Sequence, residues 1–208
     1  MLHHTWKLQR LVFPTLIWKV NSEFVYLTFD DGPDPTATPI VLDCLDAEGV
    51  KGTFFLTGTN VIEYPEIVRD ISKRGHAIGL HSFTHSRRPA LSKRHSAEEI
   101  VSTREAIAAT GVTPAQMFRP PYGFFTWNTL SAARELQHRI IMWTTLSGDF
   151  HQSWKDTRIV STSLSRLVQG AILVFHDNLS TRPRVGRVLR EVILRVKDRG
   201  FAFDSLRV

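Results

Sequence analysis

The chain has 208 residues but a single cysteine, Cys44, which excludes an intramolecular disulfide framework and leaves a buried, inert thiol as the expectation. No low-complexity tract or linker divides the sequence, and residue identity shows no repeat. No apolar run approaches the roughly 20 residues that a transmembrane helix requires. What remains has ordinary globular composition, with 42% hydrophobic and 22% charged residues, and is expected to form one domain over residues 1–208.

An export signal is not recognisable either. The only candidate is the apolar segment 11–18, which two basic residues precede. This segment is short, contains Pro14 and lacks a small-residue cleavage site after it. We therefore expect residues 1–24 to pack against a main body formed by residues 25–208. The cytoplasm is favoured, although the sequence leaves the compartment and the oligomeric state open.

Positive charge exceeds negative charge, with 26 Lys and Arg against 20 Asp and Glu, a formal net charge of +6 and a pI near 9.8. Such a balance suits nucleic acid, an acidic envelope polymer or a membrane surface. Many of these charges, however, fall in the segment 182–200, where arginines alternate with an apolar stripe at helical spacing. A solvated basic helix face explains them more simply, and no nucleic-acid partner is expected.

Apolar or β-branched runs alternate with amphipathic stretches along the chain, which predicts parallel strands joined by helical crossovers. The expected strands are 24–29, 52–58, 77–82, 117–122, 139–145, 171–176 and 201–206. The expected helices lie near 36–48, 65–74, 96–109, 127–137, 157–168 and 184–199. In the third helix, Ser96 is a candidate N-cap with Glu99 three residues later. The pattern predicts an α/β fold, a distorted (β/α) barrel with about seven parallel strands.

Polar residues follow the ends of the expected strands, where active sites of such barrels lie. One set suggests a metal site: His81 and His85 in "HSFTH" lack the glutamate of the helical metalloprotease pattern, and alone are a weak signal. Adding Asp31 gives two imidazoles and a carboxylate, which suits Zn²⁺. Asp30 would then be free to accept a proton from a water that the metal has acidified. The alternative, an Asx-type turn through Asp31, Gly32 and Pro33, leaves Asp30 unexplained.

Five segments in order, "TFDDGP", "HSFTH", "RPPYG", "GDF" and "ILVFHD", resemble the motifs of the NodB-type polysaccharide deacetylases, carbohydrate esterase family 4. The resemblance runs from about Val25 to the end of the chain. It implies a distorted barrel that removes N-acetyl, or sometimes O-acetyl, groups from sugar polymers with a divalent metal. Zn²⁺ is the metal that the resemblance favours, with Co²⁺ as an alternative.

Carried over residue by residue, the resemblance implies that Asp30 is the catalytic base and that Arg119 orients it. Asp31, His81 and His85 would be the metal ligands.

The same resemblance implies that His176 is the general acid and that Asp149 keeps it protonated and aimed. Tyr122 would line the groove and donate its backbone N–H to the developing oxyanion. Leu173 would help to form the acetyl pocket.

The fourth motif departs from the family pattern. Trp143 is followed by Leu146 where an acidic residue is common, and Asp149 is followed by Phe150 where a tryptophan is common. Phe150 still supplies an apolar wall, without the indole N–H donor. We expect Trp143 and Phe150 to contact substrate, and the departures bear on which substrate is used.

The function implied is hydrolysis of the N-acetyl group in an N-acetylglucosamine-containing polymer or oligosaccharide, of the chitooligosaccharide or peptidoglycan type. Such an enzyme is a hydrolase of carbon–nitrogen bonds other than peptide bonds. Two alternatives stay open: a hydrolase of a non-sugar linear or cyclic amide on the same barrel, and a catalytically silent carbohydrate-binding protein. The presence of Asp30 and His176 argues against the last, because binding needs neither a base nor an acid.

Overall fold

The computed structural model describes residues 11–207, and its centre is a seven-stranded parallel sheet. The strands are β1 Tyr26–Asp30, β2 Thr53–Leu56, β3 Ala77–Leu80, β4 Met117–Phe118, β5 Arg139–Ile140, β6 Thr145–Leu146 and β7 Ile172–His176. Their order is β5-β4-β3-β2-β1-β7-β6, and every pairing is parallel. The predicted barrel-like α/β fold is confirmed, with an opening between its edge strands β5 and β6.

Helices follow most of the strands and form the crossovers. They are α1 Ala37–Ala47, α2 Gly58–Glu63, α3 Pro65–Lys73, α4 Lys93–Ala109, α5 Trp127–Glu135, α6 Asp156–Leu164 and α7 Val185–Asp198. Two 3₁₀ turns, Arg88–Leu91 and Pro121–Gly123, lie on the side of the sheet where the strands end. Among the described residues, no helix is both long and apolar enough to cross a membrane.

Two predicted strands were wrong in detail. The run 139–145 forms β5 and β6 at opposite edges of the sheet, because the residues between them leave it and Ile141 bridges to Ile17 instead. The run 201–206 makes one bridge, between Phe203 and Val25. It adds no strand because β1, which begins just after Val25, already pairs on both sides with β2 and β7.

The segment 16–20 bonds to both sides of the opening in the sheet. Ile17 N donates to Ile140 O at 3.0 Å and its carbonyl accepts from Met142 N at 2.8 Å, while Val20 N donates to Gly170 O at 2.9 Å. Its neighbouring side chains Leu16 and Trp18 are buried. Of the N-terminal segment expected to pack on the main body, residues 1–10 lie outside the described residues.

Strand alternation divides the core into two layers. Leu27 and Phe29 of β1 face the helices, whereas Tyr26 faces the barrel interior together with Phe55 and Ile172. In α7, six apolar residues are buried at helical spacing, as predicted: Val185, Val188, Leu189, Val192, Ile193 and Val196. The thiol of Cys44 is half-buried, and burial raises its pKa to about 11, which keeps it protonated and inert at neutral pH.

Helix α4 begins earlier than predicted. Its N-cap is Ser92, whose hydroxyl accepts from His95 N, and not Ser96. Ser96 lies inside the first turns and donates to Pro89 O at 2.9 Å. Helix α2 was not predicted, because its six residues are too few to show a periodic pattern.

The layer between sheet and helices should carry much of the stability. Phe29 is fully buried and stacks on Phe54 with ring centroids 4.9 Å apart. Phe29→Ala is expected to lower the free energy of unfolding by about 3–5 kcal/mol, measured by urea denaturation. Leu179→Ala, at a side chain that is 70% exposed, is the control and should stay within about 0.5 kcal/mol of wild type. A loss below about 1 kcal/mol at Phe29 would contradict this account of the core.

Candidate active site

The carboxyl ends of the strands surround a cleft of about 190 Å³. Its lining consists of Asp30, Asp31, His81, His85, Tyr122, Gly123, Trp143, Leu146, Phe150 and His176. These residues lie at or after the ends of six different strands and meet only because parallel strands end at one edge of the sheet. Of the eleven residues predicted for the site, eight line the cleft, and Arg119 and Asp149 lie directly behind it.

Three of the lining residues bring metal-ligand atoms together. Asp31 Oδ1 lies 3.3 Å from Nε2 of His81 and 3.0 Å from Nε2 of His85. One ligand atom from each residue lies within 4.8 Å of the others. Burial raises the pKa of Asp31, but the two histidines and the charge of His176 outweigh burial and lower the pKa overall, so the carboxylate is ionised.

The hydrogen bonds show that this trio fits a cation. His81 Nδ1–H donates to the Arg119 carbonyl at 2.8 Å, so in the neutral imidazole that a metal requires, Nε2 is the atom with the lone pair, and it faces Asp31. Asp31 Oδ1 is buried and has no hydrogen-bond partner of acceptable geometry among the described residues. Lone pairs that face one another in a buried place repel unless a positive charge lies between them. The donor set of two imidazoles and one carboxylate suits a divalent metal such as Zn²⁺.

Asp31 is fixed from its other side by residues that the sequence did not reveal. Its Oδ2 accepts from Asn178 Nδ2 at 2.7 Å, and its carbonyl accepts from Asn60 Nδ2 at 2.8 Å. The following Gly32 leaves no room for a side chain, because a Cβ there would lie 2.3 Å from Asp177 Oδ2. The bend after Asp31 therefore serves to aim its carboxylate.

The loop between the two histidines is held by one half-buried carboxylate. Glu99 of α4 accepts from Ser82 Oγ (2.6 Å), Phe83 N (2.6 Å), Thr84 N (2.9 Å) and Thr84 Oγ1 (2.8 Å). The first amides of α2 bind the carbonyls on the other side of the same loop. Glu99 was singled out in the sequence as the residue three positions after the predicted N-cap Ser96, but its carboxylate binds the loop and does not cap the helix.

A fully buried guanidinium orients Asp30. Arg119 Nη1 donates to Asp30 Oδ1 at 2.7 Å and to Thr28 Oγ1 at 2.8 Å, and its other nitrogens donate to the carbonyls of Ile141 and Met142. Burial lowers the pKa of Arg119 and the contact with Asp30 opposes that effect. Within the described residues, no hydrogen bond reaches Asp30 Oδ2. That oxygen is available to the cleft.

His176 and Asp149 form a second ion pair at the end of β7. His176 Nδ1–H donates to Asp149 Oδ1 at 2.8 Å, and the His176 amide donates to Oδ2 at 2.8 Å. Burial acts to lower the pKa of His176, but Asp149, with Asp31 and Asp30 beyond it, raises this pKa to about 10. The imidazole is therefore protonated at neutral pH, and Nε2 is its remaining donor.

Apolar and aromatic side chains form the walls. Phe150 meets His176 edge to face with ring centroids 5.3 Å apart, and the Tyr122 ring contacts the His85 ring in a tilted arrangement at 4.7 Å. Trp143 packs over Gly123, where a Cβ would lie only 2.5 Å from the indole. Leu146, singled out in the sequence as a departure, lines the cleft directly.

The placement of Leu173 in the acetyl pocket is not supported. Leu173 is buried in the core layer that faces the helices and does not line the cleft. Because side chains alternate along a strand, the face of β7 that carries His176 also carries Val174 and Ile172. Leu173 therefore lies on the opposite face of the sheet from His176, because a shift of one residue along a strand moves a side chain to the other face.

Comparisons with known proteins agree with this geometry. The polysaccharide deacetylase family model matches residues 19–141. A chitooligosaccharide deacetylase of Bradyrhizobium sp. is 35% identical, covering 89% of this chain and 90% of its own. A peptidoglycan-N-acetylglucosamine deacetylase of Bacillus cereus is 33% identical, covering 89% and 68%. The family 4 carbohydrate esterase of Streptomyces lividans, solved with acetate, superposes with a TM-score of 0.80 at 28% identity, covering 90% and 94%.

The fold and these likenesses define a hydrolase of carbon–nitrogen bonds other than peptide bonds. The chain belongs to the polysaccharide deacetylase family, in the NodB type that forms carbohydrate esterase family 4.

Glu99 should influence metal binding without touching the metal. Glu99→Gln keeps one oxygen for the loop and loses the other, so the histidines should become less well aligned. We expect the dissociation constant for Zn²⁺ or Co²⁺, measured by calorimetry, to rise roughly tenfold or more, with circular dichroism unchanged. The neighbouring Glu98→Gln is the control, because Glu98 pairs with Arg94 on the surface and should leave the constant unchanged. Equal affinities for both variants would refute a positioning role.

Proposed function

We propose that this protein hydrolyses the N-acetyl group of N-acetylglucosamine in a sugar polymer or oligosaccharide, with a divalent metal held by Asp31, His81 and His85. Zn²⁺ suits these donors best, and Co²⁺ is a reasonable substitute. The substrate class is supported by relatives named for deacetylating chitooligosaccharides and peptidoglycan. The observation that carries the proposal is a single cleft in which a proton acceptor, Asp30, and a protonated donor, His176, both adjoin the three metal-ligand side chains.

A divalent cation bound there would polarise the acetyl carbonyl and lower the pKa of a water molecule beside it. Asp30 removes a proton from the water that adds to this carbonyl. Its Oδ1 is held by Arg119, so Oδ2 is the oxygen that accepts the proton. The buried guanidinium fixes the direction of the carboxylate, so that Oδ2 faces the cleft.

His176 supplies the proton that the departing nitrogen requires. Its Nδ1–H is committed to Asp149, so Nε2–H is the donor that faces the cleft. The carbon–nitrogen bond breaks as this proton reaches the amine, and the products are acetate and a free amino sugar. The proton first taken by Asp30 balances the one released by His176.

The walls of the cleft suit an acetyl group. Trp143, Leu146 and Phe150 give an apolar surface for the methyl, and Phe150 also contacts the edge of the His176 ring. Tyr122, with φ of 59°, turns the backbone where we expect its N–H to donate to the developing oxyanion. Leu146 in place of an acid and Phe150 in place of an indole themselves contribute neither a charged group nor an N–H donor to this end of the cleft.

Asp30 and Asp31 should separate catalysis from metal binding. Asp30→Asn is expected to retain the metal and to lower acetate release at least a hundredfold, because general base catalysis is lost. Asp31→Ala should lose the metal as well as the activity. Asp43→Asn, at a side chain that is 72% exposed, should change neither.

The measurements are metal content by atomic absorption and acetate release from N-acetylated chitooligosaccharides, peptidoglycan fragments and acetylated xylan, with small cyclic amides alongside. Undiminished acetate release by Asp30→Asn would overturn the assignment of the base. Turnover of the amides without turnover of any glycan would overturn the substrate class.

The raised pKa of His176 gives a pH signature. The proton donor is present below the pKa and is lost as the pH rises through it, so kcat should fall on the alkaline side. Asp149→Asn removes the largest influence that raises this pKa, and we expect the alkaline limb to move to lower pH. A bound cation would cancel part of the effect that Asp30 and Asp31 have on the pKa of His176. The test is therefore the shift between the pH profiles of wild type and Asp149→Asn, measured with the same metal bound. Identical alkaline limbs would contradict the role of Asp149, and Asp43→Asn serves as the unshifted control.

A further inference from the structure

We propose that Arg87 and Arg88 form an anion subsite at the rim of the cleft, which binds a carboxylate of the glycan on the sugar next to the one that is deacetylated. This inference rests on the proposed function and narrows its substrate to acetylated glycans that carry carboxylates. Neutral glycans of the chitin type would be weaker substrates.

The two arginines lie beside the metal-ligand loop. A surface hollow of about 520 Å³, lined by His85, Ser86, Arg87, Arg88 and Tyr122, adjoins the cleft. Two of these residues, His85 and Tyr122, line the cleft as well. A polymer that places one acetyl group beside His85 would therefore extend past Tyr122 into this hollow.

Arg87 is placed by an aromatic contact that leaves its donors free. Its guanidinium carbon lies 4.3 Å from the centre of the Tyr122 ring, and that ring lies 4.7 Å from His85. A cation stacked on a ring keeps its in-plane N–H groups for other partners. Tyr122 is 47% exposed, so both the ring and the cation stacked on it are accessible from solvent. Two ring contacts separate Arg87 from a metal-ligand side chain, close enough to serve the neighbouring sugar.

Neither guanidinium is neutralised. Within residues 11–207, no carboxylate lies within 4.0 Å of Arg87 or Arg88, and both residues are exposed. The arginines of α7 differ, since Arg187 pairs with Asp156 and Arg190 with Glu48. An unpaired surface arginine is ordinary in itself. Two adjacent ones at the mouth of a substrate cleft give an uncompensated positive rim.

The chemistry of the rim selects its ligand. A guanidinium recognises a carboxylate through paired, parallel N–H···O bonds, which an alcohol or an amide cannot match. Sugars that present carboxylates include uronic acids and amino sugars with a lactyl ether or an attached peptide. The exposed location also predicts that the preference weakens as salt rises, because exposed charges are screened.

The test compares one glycan in two forms, with its carboxylate free and with the same carboxylate amidated. For wild type at low ionic strength, kcat/KM should favour the free carboxylate about tenfold, as one charge-assisted pair allows. In Arg87→Gln/Arg88→Gln this ratio should fall close to one. Arg69→Gln, which removes an exposed charge from α3, should keep the wild-type ratio. A wild-type ratio near one, or an unchanged ratio in the double variant, would overturn the subsite.

Calorimetry in the Asp30→Asn background separates the subsite from the reaction. Tighter binding of the free carboxylate form, lost when Arg87 and Arg88 are also replaced, supports the subsite even if no acetate is released. Acetate release without any difference in affinity between the two forms would refute the subsite and leave the deacetylase proposal intact.

Discussion

The buried guanidinium of Arg119 is the contact on which the site depends. It joins β4 to β1 through Thr28 and Asp30, and it joins both to the backbone beside the open edge of the sheet. Its own carbonyl fixes the His81 ring. Removing a buried cation with this many partners would leave the Asp30 carboxylate uncompensated, which costs about 3–5 kcal/mol. One residue therefore sets the orientation of the candidate base and of one metal-ligand side chain.

The remaining groups are held by backbone conformations that most residues avoid. Within the described chain, five residues other than glycine have a positive φ, and four of them are at the site: Asp31, Ser82, His85 and Tyr122. Each such conformation costs of order 1 kcal/mol or more and persists only where surrounding contacts over-determine it. Here Glu99 and Asn178 provide those contacts, from α4 and from the segment after β7. Favourable contacts in the rest of the fold thus offset the cost of these backbone conformations, and the cleft keeps one arrangement.

The features that depend on the local order of residues could be predicted from the sequence. Alternating patterns predicted the parallel sheet, and the five ordered motifs, with the resemblance that they carry, predicted most of the residues that line the cleft. Sequence-based prediction failed for features that depend on how side chains and strands pack in three dimensions. Leu173 was assigned to the wrong face because a two-residue period makes a shift of one decisive. The run 139–145 contains no glycine, proline or other turn signal to show that its two halves form strands at opposite edges of the sheet.

Contacts distant along the chain were also hidden. Asn178 lies 147 residues from Asp31 in the sequence. No motif around Asn178 indicates that its side-chain amide donates to the Asp31 carboxylate. Glu99 had a plausible local interpretation, as a capping residue, that competed with its true contact 15 to 17 residues away. Local rules can propose a partner for a polar side chain, but only the fold decides between partners.

The effect of the charged residues also depends on where the fold places them and not only on how many there are. A net charge of +6 suits a polyanion surface, but the sequence already favoured a solvated basic face for the helix that is now α7. Several arginines of that helix are paired with acids, so the charge of α7 is largely balanced. The cleft and the residues directly behind it include Asp30, Asp31 and Asp149, whose charges are balanced in part by Arg119 and His176. A divalent cation would complete that balance, and an anionic substrate would then meet a site that no longer repels it. The recognition of charge in this protein thus depends on where the fold leaves charges unpaired, and Arg87 and Arg88 are two such charges at the rim of the cleft.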